Sequence, residues 1–473
     1  MKNDYLKNIP SIQKISEQKR FEEFTKLFSR KIVINELRIL LDQYRDAKNS
    51  ALNITMEMIF ENLQTNLNDL TDDHPKQIIN VSGVILQTNF GRAPLSKQAI
   101  KAMSNIGSNY SNLEYDLDEN KRGGRLKKFK KIINRLTKAE NALVINNNAA
   151  AVFLALRAIC NNKEVLVSRS ESVEIGGGFR IPDVLIESNA ILIDVGTTNK
   201  TYVEDYESKI SENTGCILLV HQSNFKIEGF TYKPNIKEIV DMAKKKSVPV
   251  FYDLGSGCLI DTKEYGLEYE PTVQDAIRDG VDLVFFSGDK LIGGPQAGII
   301  AGKNEYVEII EKHPLTRALR LDKVLLSGLH ATLQLYLNDQ YHDIPLWNIL
   351  SKSNIYIYDL VNDWKNKLNH ESRKILLRQP TNDIFSVEKS MTMIGGGSIP
   401  EQSIKSYSLI INCDMLNITA GQLNLNFKSY PTPMLSRIKY NKLFIDPITI
   451  LNDQEELVIK IIKQEMKKLG VIY

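Results

Sequence analysis

The chain has 473 residues, with 60 Lys+Arg against 57 Asp+Glu and a formal net charge of +3. That balance excludes a protein that holds polyanions by blanket charge, whose domain would be strongly basic, and leaves room only for a local patch. Hydrophobic residues at 42%, charged residues at 25%, 26 Gly and 15 Pro describe a globular chain of two or three domains, not a low-complexity or collagen-like one. The N-terminus, MKNDYLKNIPS, lacks the basic-then-apolar profile of a signal peptide. No apolar run reaches the roughly 18 residues of a membrane-spanning helix, so a soluble cytoplasmic protein is expected.

Residues 1–70 read as a small amphipathic helical bundle. Phe24, Leu27 and Phe28 fall at i, i+3, i+4, and Leu37, Leu40, Leu41 and Tyr44 repeat the pattern with the next turn added. The segment holds 11 Lys/Arg against 10 Asp/Glu, so it is not a basic arm. The polar TDDHPK (71–76), with Pro75, marks a boundary.

From about residue 140 short apolar runs alternate with helix-like stretches: ALVIN (142–146), EVLVS (164–168), AILIDV (190–195), CILLVH (216–221), VPVFYDL (248–254), LVFFSG (283–288) and AGIIAG (297–302). Near-continuous Val/Ile/Leu runs are strands buried on both faces, as in a parallel sheet covered by helices. Only DKLIGGPQ separates the last two, too short for a crossover helix, so that pair is expected to be antiparallel. The expectation is a seven-stranded, mostly parallel α/β sheet. Beyond about residue 335 a second α+β region begins, with GGGS at 395–398 and an amphipathic helix near Glu455–Leu469. The domains are therefore placed at 1–70, 71–335 and 336–473. The four cysteines (Cys160, Cys216, Cys258, Cys413) form no CxxC pair, so neither a zinc cluster nor a disulfide framework is readable, and no metal is expected.

Three segments carry chemistry. In Ser287-Gly-Asp289-Lys290, followed by a Gly-rich turn, a lysine directly follows a buried strand. A lysine desolvated there has a depressed pKa and its free amine can form a Schiff base, although a lone strand-end lysine can equally snorkel to solvent. Ser287 is placed to hydrogen-bond a phosphate. Asp253 ends another predicted strand, where ligands of open α/β sheets bind; it can pair with a pyridinium nitrogen or simply cap a turn. Asn147, Asn148 and Ala149 lead from a strand into an Ala-rich helix, whose N-terminus is a ready anion site. The order phosphate turn, Asp, Lys is that of the fold type I, aspartate-aminotransferase-like pyridoxal phosphate enzymes.

Longer motifs narrow the class. NVSGVILQTNFGRAPLS (80–96), SNLEYDLDENKRGGR (111–125), NNNAAAVFLAL (146–156), SRSESVEIGGGFRIPDV (168–184), DVGTTNKT (194–201), HQSNFKIEGFT (221–231), DLGSGCLID (253–261), FSGDKLIGGPQAGII (286–300) and HPLTRALRLDK (313–323) resemble the bacterial L-seryl-tRNA(Sec) selenium transferase (selenocysteine synthase) family. The likeness starts at the IPSI of residues 9–12 and loosens after about residue 335. It implies a pyridoxal 5'-phosphate enzyme that converts L-seryl-tRNA(Sec) to L-selenocysteinyl-tRNA(Sec) with selenophosphate, through a cofactor-bound aminoacrylyl-tRNA intermediate. It implies Lys290 as the cofactor lysine, Asp289 beside it as a catalytic residue, and Arg92, Arg125, Arg317 and Arg320 as the grip on the anionic donor. Guanidinium groups suit such an anion through bidentate hydrogen bonds. Three apart, Arg317 and Arg320 would project from one face if their segment is helical. By resemblance, residues 1–70 contact tRNA, and the protein is a homo-oligomer, at least a dimer and a decamer built as a ring of dimers.

Two departures from the family pattern stand out: a third glycine in GGGFR (176–180) and a diverged stretch after Thr381 containing SVEKSMTMIGGGSIPEQS. The nearest rival reading is a pyridoxal phosphate lyase or transferase acting on a small amino acid or amino-sugar acid, which would have no use for residues 1–70. A catalytically silent tRNA-binding scaffold is a rival from another class, and the intact lysine, aspartate and asparagine turn argue against it.

Overall fold

The computed structural model describes residues 9–46, 54–71, 74–175, 178–373, 384–399, 402–451 and 453–472. Most of the N-terminal MKNDYLKNIPS, Gly176 and Gly177 of GGGFR, and Thr381 lie outside them. The chain divides into two compact units, Met1–Gln77 and Ile78–Tyr473.

The first unit is helical: α1 (Ile12–Ser16), α2 (Lys19–Leu27), α3 (Arg30–Asp46) and α4 (Met56–Thr71). Its core joins Phe21 and Phe24 of α2, Val33, Leu37, Leu40 and Leu41 of α3, and Ile59, Phe60, Leu63 and Leu67 of α4. The expected stripe shifts at one point. Leu27 is 77% exposed, because α2 ends there and its buried face runs through Phe21 and Phe24. Phe28 leaves the helix in an extended conformation (φ −124°, ψ 154°) and packs partly against the same core.

The second unit is built on a seven-stranded sheet: β1 (Asn141–Ile145), β2 (Glu164–Ser168), β3 (Ile191–Val195), β4 (Thr214–Val220), β5 (Val250–Gly255), β6 (Leu283–Ser287) and β7 (Gly298–Gly302), in the order β1-β7-β6-β5-β4-β2-β3. Every neighbouring pair is parallel except those of β7, which runs antiparallel to β6 and β1, as the short DKLIGGPQ connection requires. Successive side chains feed two different cores. Val144, Leu166, Leu219, Tyr252, Val284 and Phe286 pack on one face of the sheet. Leu143, Val165, Leu218, Phe251 and Phe285 pack on the other. Burial on both faces is why the runs read as continuous rather than alternating. Phe251 and Phe285 meet edge to face at 6.1 Å, a geometry worth roughly 0.5–1.5 kcal/mol beyond area burial.

A four-stranded antiparallel sheet follows: β8 (Phe385–Met393), β9 (Ser403–Asn412), β10 (Arg437–Lys439) and β11 (Lys442–Ile445), ordered β8-β9-β11-β10. All four cysteines are buried free thiols. Among the described residues no helix is long and apolar enough to cross a membrane.

Candidate active site

The site forms at the C-terminal ends of β5 and β6, which are hydrogen-bonded neighbours. Asp253 lies on β5 and is 4% exposed; Lys290 follows β6 and is 6% exposed. A Cβ placed on Gly255 would sit 3.7 Å from Lys290 Nζ and 3.8 Å from Asp253 Oδ1, so amine and carboxylate share one pocket. Gly255 itself has φ +68°, a left-handed conformation that admits glycine easily. Burial first, then the Arg92 charge, lowers the Lys290 pKa; Asp253, Asp289 and Glu270 oppose that shift. Burial raises the Asp253 pKa, against the Asn148 hydrogen bond and the charges of Lys290 and His221. Ser287, the last residue of β6, is buried opposite Gly298.

The asparagine turn meets this pocket from β1. Asn147 caps helix α5 (Asn148–Ile159): its Oδ1 accepts the Ala150 N–H at 2.9 Å. Asn148 Nδ2 donates to Asp253 Oδ1 at 2.8 Å, linking the helix start directly to the carboxylate. The first N–H groups of such a helix, from Asn148 and Ala149 onward, have no intrahelical acceptor and favour an anion. The turn is packed hard against β7, since a Cβ on Gly298 would come within 2.0 Å of Asn147 O. Just after Lys290 in the chain, Leu291 O and Ile292 O accept hydrogen bonds from Tyr336 Oη at 3.1 and 2.9 Å, and Tyr336 Oη accepts from Trp347 Nε1 at 2.7 Å. This buried hydroxyl fixes the turn that follows the lysine.

Sequence reasoning missed two contributors and noted a third only as a glycine cluster in the second α+β region. His221 follows β4, its Nε2 3.2 Å from Glu270 Oε1 and its Nδ1 3.4 Å from Tyr252 Oη. The strand-end rule that found Asp253 applies equally to the last residue of CILLVH, so His221 had a signal. Glu270, 3% exposed in a loop, had none. The third is the Gly395–Ser398 turn, which folds over the amine: a Cβ on Gly397 would lie 2.6 Å from Lys290 Nζ. Asn148 Oδ1, Ser256 Oγ and Ser398 Oγ are buried polar atoms with no hydrogen-bond partner. Such orphans, on three segments converging on one lysine, suit a polar ligand.

The four arginines are not one group. Arg92 Nη1 donates to Asp289 Oδ2 at 3.0 Å and so stands beside the lysine. Arg125 Nη1 and Arg320 Nη1 both donate to Glu114 Oε1, at 3.3 and 2.8 Å, and Arg122 Nη2 reaches Glu114 Oε2 at 3.2 Å. These side chains line a cavity of about 620 Å³ that also takes in Asp116, Lys127 and Lys130 but not Arg317. The expected helical pairing of Arg317 with Arg320 does not occur. The helix covers only Leu315–Ala318; Asn146 N–H then binds Leu319 O at 3.0 Å, and Arg320 forms a bridge with Ile145 instead of another helical turn.

The family profile described as L-seryl-tRNA selenium transferase matches residues 78–451. The chain belongs to that family. It is 41% identical over 474 residues to the L-seryl-tRNA(Sec) selenium transferase of Clostridium botulinum (strain Loch Maree / Type A3), covering 99% of each chain. It is 40% identical over 467 residues to the one of Aquifex aeolicus (strain VF5), covering 98% of each. Among solved structures, D-glucosaminate-6-phosphate ammonia-lyase superposes with a TM-score of 0.57 at 16% identity, over 86% of this chain and 99% of that one, which is a likeness of fold alone. The chain thus has a fold type I architecture, an α/β fold on a seven-stranded mixed sheet.

Proposed function

We propose that the protein converts L-seryl-tRNA(Sec) to L-selenocysteinyl-tRNA(Sec) with selenophosphate, using pyridoxal phosphate held between Lys290, Asp253 and the start of α5. The observation that carries this reading is the shared, buried pocket of Lys290 and Asp253 in a chain whose relatives bear that name. The residues fit the cofactor. Lys290 would offer its amine to the carbonyl carbon, Asp253 a carboxylate to the ring nitrogen, and Ser287, Asn147, Asn148 and Ala149 polar groups to the phosphate. Asn148 Oδ1, Ser256 Oγ and Ser398 Oγ, buried without hydrogen-bond partners, suit such a polar ligand. When bound, pyridoxal phosphate supplies the electron sink that makes the seryl α-proton acidic.

The chain's own groups do the rest. Lys290, its pKa depressed by burial, has a larger free-amine fraction near neutral pH and takes the α-proton. Asp253, held in place by Asn148, would pair with the cofactor's ring nitrogen and keep a proton there. Asp289 anchors Arg92 beside the amine. The seryl hydroxyl leaves the β-carbon as water, taking up a proton. Selenium then bonds to that carbon as its bond to phosphorus breaks and a water oxygen takes the phosphoryl group to give phosphate. Lys290 returns a proton to the α-carbon. The dianionic donor calls for guanidinium groups, for which Arg92, Arg125, Arg317 and Arg320 are the candidates.

The family likeness supports two further parts of the reading: residues 1–70 contact the tRNA, and the active form is at least a dimer, with a ring of dimers as the full assembly. A conversion assay with seryl-tRNA(Sec) and selenophosphate, beside a gel shift of tRNA(Sec) against tRNA(Ser), tests the proposal. Selenophosphate-dependent product and preference for tRNA(Sec) are expected. Turnover of a free amino acid or amino-sugar acid, with neither tRNA bound, would replace it by the small-substrate reading.

A further inference from the structure

The small sheet contains a buried carboxylate that the chemistry above does not use. Asp446, fully buried just after β11, accepts hydrogen bonds from the hydroxyls of Thr392 (2.9 Å), Ser390 (3.2 Å) and Ser406 (3.0 Å), and from the Ile448 N–H (3.3 Å). Burial is the largest influence on its pKa and pushes it up, opposed by the Thr392, Ile448 and Ser406 hydrogen bonds and by the charge of Arg437. Collecting this many donors on one interior carboxylate is costly to assemble unless their placement matters.

Asp446 fastens two segments at once. Its own N–H donates to Val81 O at 3.0 Å, and Thr449 Oγ1 donates to Asn80 O at 2.8 Å, so the stretch around residues 80–86 is tied to it. Gly83, at φ +73°, passes so close that a Cβ there would lie 2.8 Å from Asp446 Oδ2. Thr392 and Ser390 belong to the end of β8. The two segments are then laced together beyond the carboxylate: Met393 N–H to Gly83 O at 2.8 Å, Ile85 N–H to Met393 O at 3.0 Å, and Leu86 N–H to Ile394 O at 2.7 Å.

That lacing ends where the turn over the lysine begins. A Cβ on Gly395 would strike Leu86 O at 2.5 Å, one on Gly396 would meet Thr88 Oγ1 at 3.3 Å, and one on Gly397 would reach Lys290 Nζ at 2.6 Å. Four residues beyond Thr88, Arg92 pairs with Asp289 beside the same amine. An unbroken line of contacts therefore runs from Asp446 to the reacting lysine. We propose that Asp446 is a positioning residue for Lys290: by clamping residues 80–86 to the end of β8, it fixes the Gly395–Ser398 turn as a roof over the amine. The inference rests on the reading of Lys290 as the cofactor lysine.

The test uses the full-chain protein with cofactor and two readouts. The first is hydrogen exchange of the backbone over residues 393–399. The second is the rate at which hydroxylamine releases the cofactor from Lys290, followed by absorbance. Asp446→Ala, which removes the hydrogen bonds from Thr392, Ser390, Ser406 and Ile448, is expected to speed both by at least about tenfold, the opening expected for loss of even one charge-assisted bond, and Asp446→Asn by less. Thr392→Val, which removes a single donor, keeps the test available if Asp446→Ala does not fold, and should shift both readouts in the same direction. Gly397→Ala should speed cofactor release while leaving exchange over residues 79–86 unchanged. A folded Asp446→Ala or Thr392→Val protein with wild-type exchange and release would overturn the clamp, as would faster exchange spread evenly over the unit, which marks a structural role only. If the wild-type protein held no cofactor on Lys290, the hydroxylamine readout would be silent and the functional reading would fail, while exchange would still decide the clamp.

Discussion

The Lys290 pocket and the Glu114 cavity both gather opposite charges, in opposite surroundings. Lys290 and Asp253 are almost wholly buried, and desolvation is the first cause of both their pKa shifts, down for the amine and up for the carboxyl. Glu114 is only half-buried, its pKa lowered first by the hydrogen bond from Arg122. Its partners Arg122 and Arg320 have side chains 80% and 38% exposed. Water screens the second cluster, so its ion pairs add little stability. In the first cluster each charge lacks that screen, and a substitution changes chemistry rather than solvation.

The widest gap between the two regions should appear on removing the lysine. Lys290→Ala is expected to lower turnover by about 10²–10⁴-fold or more, since both the bond to the cofactor and the proton transfer go with it. Far-UV circular dichroism should be unchanged; near-normal activity would erase the distinction. Next, Asp253→Asn should reduce kcat by about ten- to a hundred-fold, the loss of one charge-assisted contact of roughly 1.5–3 kcal/mol, with a smaller change in KM. In the Glu114 cavity, Arg320→Ala should raise the apparent KM for selenophosphate by about tenfold with kcat nearly kept, and Arg320→Lys should recover part of the loss because an ammonium lacks the two-pronged geometry. Arg317→Ala, outside the cavity, should do less. If neither arginine affects selenophosphate dependence while Arg92→Ala does, the anion sits beside Lys290 and the cavity has another role.

The smallest effect concerns pH. In the cofactor-free protein the buried Lys290 amine has a folded-state pKa below its unfolded value of about 10.4. Between the two values the unfolded chain binds more protons, so stability rises with pH across that window. As pH rises toward about 10.4, urea midpoints should therefore climb more steeply in wild type than in Lys290→Met, by no more than the one-proton limit of about 1.4 kcal/mol per pH unit. Equal slopes would mean that the amine is solvated.

What sequence could show follows the same division. Strand runs such as LVFFSG and VPVFYDL are local, and Lys290, Asp253 and the Asn147–Asn148 turn are legible because each ends or follows such a run. His221 obeyed that rule and was passed over. Glu270 carries no local sign, and the glycine cluster at 395–398 signals a turn but not that it reaches the lysine, since chain segments far apart in sequence bring both there. The helical spacing of Arg317 and Arg320 misled for a related reason: a hydrogen bond from Asn146, more than 170 residues earlier in the chain, accompanies the end of the helix at Ala318. Leu27 fitted an apolar period and is exposed because its helix stops at that residue.

The assignment of Lys290 can be read chemically in one step. The purified full-length protein, reduced with borohydride and digested, is analysed by mass spectrometry for a pyridoxyl adduct. One modified peptide is predicted, the one carrying Lys290, with the adduct absent from Lys290→Ala. An adduct on a different lysine, or none in protein that converts seryl-tRNA(Sec), would contradict the placement of the reaction at the ends of β5 and β6.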